Sequence, residues 1–187
     1  MEKFRTLSDE EEQEFWRLYR LYGSEAQRCE KARAYLAGCV MLGSALEALL
    51  ILMVNVYDEE AAATGIVPMK GKNIKTPKPL LDWDLAELLR VAKAAKWLPA
   101  GLDPNDEWNS RKAKIGDYAE AARMIRNLVH AGRYRKEHFR GRVTKKHLER
   151  QFEIVEVCRE WLADHNAKSL LAHLKGDEEA TRREREN

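Results

Sequence analysis

Four polar side chains that together can handle a phosphodiester fall within one short run, Ala121-Ala122-Arg123-Met124-Ile125-Arg126-Asn127-Leu128-Val129-His130-Ala131-Gly132-Arg133-Tyr134. An α-helix turns about 100° per residue, so Arg123 and His130, seven positions apart, differ by only about 20° around the axis. Arg126 and Asn127 fall on either side of that line. Tyr118, Ala122, Ile125 and Val129 form an apolar stripe on another face. Cleavage of RNA needs no metal if one group removes the 2′-hydroxyl proton and a cation stabilises the charged phosphorane. Histidine suits the proton transfer. The planar fork of an arginine suits the two non-bridging oxygens. Asn127 can orient the imidazole or donate to the phosphate.

The same spacing has a second reading. His130 lies in the expected last turn of a helix, with Gly132 near its end, where a histidine can cap carbonyls and favour the helix dipole. The arginines can equally pair with Glu47 or with surface carboxylates. Spacing alone leaves both readings open.

The run Arg126-Asn127-Leu128-Val129-His130, followed by Ala131-Gly132-Arg133-Tyr134, resembles the signature of the HEPN superfamily. The commonest form of that signature is Arg-polar-x-x-x-His. This chain has the variant Arg-Asn-x-x-His, while Arg123 supplies a longer spacing with six residues before His130. The resemblance extends from about Ala34 to Leu174. It implies an all-α, up-and-down bundle of about five helices with a long central apolar helix. It also implies a metal-independent endoribonuclease without a cofactor, or a non-catalytic RNA- or protein-binding relative. In the first case Arg123, Arg126, Asn127 and His130 are the catalytic set and Glu47 supports them. The expected partners are RNA, a second copy of the chain completing the site, and an antitoxin or another defence-system protein.

A basic segment follows the motif. Arg133, Arg135, Lys136, Arg140, Arg142, Lys145, Lys146 and Arg150 are opposed only by Glu137 and Glu149, with Tyr134 and Phe139 interleaved. Arg133, Tyr134, Arg135, Lys136, Arg140 and Arg142 are the expected RNA contacts, because cations track the phosphate backbone and aromatic rings stack on unpaired bases. The net charge of the whole chain is only +2, so affinity for a polyanion has to come from such a local patch.

The elements that would position these groups can be read from pattern. Ser8 followed by Asp9-Glu10-Glu11-Glu12 predicts a first helix, stopped at Gly23. A long second helix is expected from about Ser24 to Tyr57. Its half from Tyr35 to Val56 is apolar nearly all round, the pattern of a bundle centre or a membrane span. Glu47 in its middle would cost roughly 2.5 to 3.5 kcal/mol at mid-bilayer. The amphipathic helices elsewhere need a central partner, so the bundle is the expectation. Residues from about Asp58 to Lys78 read as a solvated, basic connection broken by Gly65, Pro68, Gly71 and Pro77. A third helix is expected from Asp82 or Asp84 to Trp97, the motif helix from Asp117, and a last helix from Thr144 to about Leu174.

At 187 residues, 44% hydrophobic and 34% charged, the chain fits one helical domain over 1–175, with its core at about 24–174. Residues 176–187 are expected to form a charged tail, either a frayed helix or disordered. Cys29, Cys39 and Cys158 show no paired spacing, which argues against a disulfide framework or zinc site. His138, His147, His165 and His173 lack partners at metal-ligand spacing and read as surface or packing residues. Ser44 and Ser169 lack a nucleophile-elbow context. Met1-Glu2-Lys3-Phe4 leads into an acidic run with no apolar signal core, so a cytoplasmic location is expected.

Overall fold

The first helix, α1, spans Asp9–Lys31. Ser8 caps it reciprocally: Glu11 N–H donates to Ser8 Oγ at 3.3 Å and Ser8 N–H donates to Glu11 Oε2 at 2.8 Å. The acidic first turn and Arg28 and Lys31 in the last turn both complement the helix dipole. The expected break at Gly23 does not occur; α1 runs straight through it. A glycine in mid-helix costs about 1 kcal/mol, which packing of the helix can offset. The chain reverses instead at Ala32–Ala34, where Arg33 takes the left-handed φ of 57° and Ala34 N–H returns to Cys29 O at 2.8 Å.

The central helix, α2, spans Tyr35–Val56 and buries thirteen of its residues. It is long and apolar enough to cross a membrane, yet 72% of its most apolar window is covered inside the bundle. Gly38 lets the last helix approach: a Cβ there would stand 2.8 Å from Leu148 Cδ1.

The computed structural model describes residues 4–71, 74–98, 123 and 143–185, with side chains described for these up to residue 167 except 74 and 75. The stretch read as an irregular connection holds regular structure. A short helix, α3, occupies Asp58–Ala63. Strands β1, Met69–Gly71, and β2, Ile74–Pro77, pair antiparallel with Met69 opposite Pro77 and Gly71 opposite Ile74. The hairpin is tied to the core. Val67, Leu80 and Trp83 are buried, Leu80 N–H donates to Arg5 O at 3.0 Å, and Trp83 Nε1–H donates to Lys78 O at 3.2 Å.

Helix α4 spans Leu85–Ala94, and of the two expected starts it takes Asp84. Glu87 N–H donates to Asp84 Oδ1 at 2.8 Å and Asp84 N–H to Glu87 Oε2 at 2.9 Å, while Lys78 Nζ meets Glu87 Oε1 at 2.7 Å. The helix stops short of Trp97 because Lys96 turns to a φ of 62°, after which Trp97 and Leu98 fold back into the core. The last helix, α5, spans Lys145–Arg185 and so continues past the expected end at Leu174 into the charged tail, in line with the helical of its two expected forms. His147 Nδ1 accepts from Thr144 N–H at 3.1 Å at its start.

The architecture is an all-α bundle around one apolar helix. Helices α1, α4 and α5 pack on α2. Leu46, Leu50 and Leu52 of α2, Leu88 and Leu89 of α4, and Leu148 and Leu162 of α5 are buried in the shared core. Burying a leucine side chain is worth about 1.5 to 3 kcal/mol, so this layer dominates the stability of the fold.

Candidate functional site

Of the candidate site residues, Glu47 and Arg123 fall within the described part of the chain. Glu47 sits midway along α2, partly buried, one turn after the partly buried Ser44. A carboxylate in such a helix requires a polar or cationic partner, and Glu47 has an interaction partner. Arg123 has helical backbone, is partly buried, and is also engaged. Arg126, Asn127, His130, Arg133, Tyr134, Arg135, Lys136, Arg140 and Arg142 lie outside the described residues.

A second polar constellation joins three elements that the sequence shows far apart. Trp97 Nε1–H donates to Glu60 Oε2 at 2.8 Å. His165 Nε2 approaches the same carboxylate oxygen at 3.2 Å. The nitrogen is shielded from solvent and makes no hydrogen bond to that oxygen. Tyr57 stands edge-on to the imidazole with ring centroids 5.0 Å apart, and Trp97 flanks it at 6.1 Å. Sequence reading placed His165 among surface or packing residues, and packing is its role here. The cluster clasps α5 to α3 and to the turn after α4. Its members are 37 to 108 positions apart in pairs such as Glu60–Trp97 and Tyr57–His165, so no local spacing could have announced it.

Cys39 and Cys158 are buried free thiols, and Cys29 is partly exposed. Burial pushes both buried thiols up to about 12, which removes them from thiolate chemistry at neutral pH. Among the described residues no group of three or more His, Cys, Asp or Glu side chains converges as a metal site.

Comparison with protein-family models, with curated proteins and with solved structures found no match.

Proposed function

We propose that this chain is a metal-independent endoribonuclease of the HEPN kind, with His130 as its proton-transferring group. The observation that carries the reading is Arg123. Its backbone is helical, as the periodicity that aligns it with His130 requires, and the residue is partly buried and engaged. Glu47, engaged and partly buried on the central helix, is the support the reading requires. In this arrangement Glu47 and Arg123 pair and fix the motif helix against α2. Arg126 is then left to face the phosphate, with Asn127 orienting the imidazole.

The chemistry follows from those roles. His130 takes the proton of the 2′-hydroxyl, O2′ attacks phosphorus, and the bond from phosphorus to O5′ breaks. The leaving oxygen gains a proton. The products carry a 2′,3′-cyclic phosphate and a 5′-hydroxyl. Arg126 stabilises the extra negative charge of the phosphorane through paired hydrogen bonds. Arg133, Tyr134, Arg135, Lys136, Arg140 and Arg142 hold the rest of the strand. A second copy of the chain completes the site, and the setting is a cytoplasmic defence or toxin–antitoxin system with its own protein partner.

The test is cleavage of labelled RNAs by purified protein in EDTA. The wild type is expected to cut, and His130→Ala to lose at least about a hundredfold in rate, the usual worth of a positioned acid–base group. Equal cleavage by the variant, or none by the wild type on varied RNAs, overturns the nuclease. RNA binding without turnover would instead favour a non-catalytic RNA-binding module.

A further inference from the structure

Three elements meet at one end of the bundle: the last turn of α1, the Ala32–Ala34 reversal into α2, and the first turn of α5. Leu148 of α5 packs over Gly38 of α2, which also lies beside Cys29 of α1. Lys145 of α5 is close enough to Glu30 and Tyr35 to interact electrostatically with both. The fold thus brings Lys31 and Arg33 to the same surface as Lys145 and Lys146, from the far end of the sequence. All four are exposed. Among the described residues Lys31, Arg33 and Lys146 stand in no ion pair, while Lys145 meets Glu149 at 2.9 Å.

Local stability accounts for only one of these cations. Lys31 lies in the last turn of α1, where a positive charge favours the helix dipole. Arg33 takes a φ of 57°, a conformation that glycine adopts without steric cost and an arginine does not. Lys145 and Lys146 open α5, whose first turn has no acidic residue, whereas the first turns of α1 and α3 are acidic. A cation in a first turn opposes the dipole of its helix. Lys145 also precedes Glu149, the less favourable order for a pair four residues apart. Helix α2 starts at the same end, again without an acid in its first turn. Glu30 and Glu149 temper the charge of this surface without cancelling it.

We infer that this end of the bundle binds the phosphate backbone of a single-stranded nucleic acid, with Lys31, Arg33, Lys145 and Lys146 on the phosphates and Tyr35 beside them for a base. Residues that break a local rule without a gain to the fold mark sites of function. Here two separate breaches, at the reversal and at the start of α5, put positive charge on one surface. A single strand asks for cations along its backbone and an aromatic ring for its unpaired bases, and Tyr35 is partly exposed at this place. A membrane surface asks for an apolar face as well as cations. The reversal and the first turn of α2 expose one large apolar side chain, Leu36. The inference goes beyond the nuclease reading, because binding at this end needs neither His130 nor turnover.

The experiment is fluorescence anisotropy of the full chain with labelled oligouridylate over a range of salt, alongside thermal denaturation and sedimentation with phosphatidylglycerol vesicles. Arg33→Gly and Lys146→Glu should each weaken binding about fivefold at about 0.1 M salt and flatten its logarithmic salt dependence by about 0.7, the share of one phosphate contact on a single strand. Combined, they should cost about twenty-five-fold. Both variants should keep or raise Tm, because glycine relieves the positive φ and a carboxylate suits the first turn of α5. Oligodeoxythymidylate run alongside tells which strand supplies the phosphates: tighter binding of oligouridylate assigns RNA, tighter binding of its deoxy counterpart assigns DNA. The inference falls if neither oligonucleotide binds, or if both variants bind with unchanged affinity and salt dependence. It falls too if Tm drops together with binding, which would make the cations structural, or if the protein takes up vesicles and neither oligonucleotide. Cleavage of RNA with binding unaltered in both variants removes this inference alone; binding through this end without cleavage removes the nuclease reading alone.

Discussion

Gln151 is fully buried on α5, and among the described residues neither its Nε2 nor its Oε1 finds a hydrogen-bond partner. A buried amide in that state costs about 1 to 3 kcal/mol. Gln151→Met keeps the length of the side chain and removes both polar atoms. It is expected to stabilise the fold by about 1 kcal/mol, a rise of roughly 2–4 °C in Tm for a chain of this size. A fall in Tm on thermal denaturation would mean that the amide is satisfied. The proposed Glu47–Arg123 pairing is tested at the same scale. In a double-mutant cycle with Glu47→Gln and Arg123→Gln, two contacting groups should couple by about 0.5–3 kcal/mol in urea unfolding. Independent effects would dissociate them.

At the scale of the element, the legible features were those that carry their partner at a fixed spacing. Ser8 before its acidic run, and Asp82 or Asp84 before an apolar one, marked helix starts, and capping boxes close at Ser8–Glu11 and Asp84–Glu87. Ser8→Ala and Asp84→Ala are expected to cost about 1 kcal/mol each, measured by denaturant unfolding. Gly23 misled because a glycine ends a helix only when it takes the left-handed conformation; that conformation fell to Arg33. The β1–β2 hairpin was illegible because its strands are only three and four residues long, too short for an alternating pattern to stand out, and the chain just after it is anchored by a group as distant as Arg5 O. The Glu60–Trp97–His165 clasp was hidden because its members lie far apart in the sequence. Trp97→Phe keeps the ring and removes the donor to Glu60, and should loosen α5 from α3, read as faster amide exchange near His165. Of the candidate site, the helical backbone of Arg123 and a partner for the partly buried Glu47 were legible from periodicity and from the cost of burying a charge. A geometry for the candidate quartet is a property of tertiary placement, which no spacing supplies.

Across the whole molecule, the buried thiols give the stability a pH dependence. Below the ordinary thiol value of 9.0, Cys39 and Cys158 are protonated in both the folded and unfolded chain. Between there and about 12 the unfolded chain ionises while the folded one does not. Their contribution is therefore fully present below the unfolded value and lost as pH rises through that window. Urea midpoints should fall over this alkaline range, and less so in the Cys39→Ala, Cys158→Ala double variant compared with its own neutral midpoint. At pH 8 Ellman's reagent should titrate Cys29 in the native protein and all three thiols in urea.

The tight reversal at Ala32–Ala34 has a kinetic consequence. It joins the two helices that share the most extensive interface in the described structure, and they are neighbours in sequence. Closing so short a link sacrifices little chain entropy, so this antiparallel pair is the natural nucleus from which the remaining helices condense. Ala26, wholly enclosed on α1, reports on that order of events: Ala26→Gly should slow refolding nearly as much as it destabilises the protein, whereas Leu162→Ala should act chiefly by hastening unfolding.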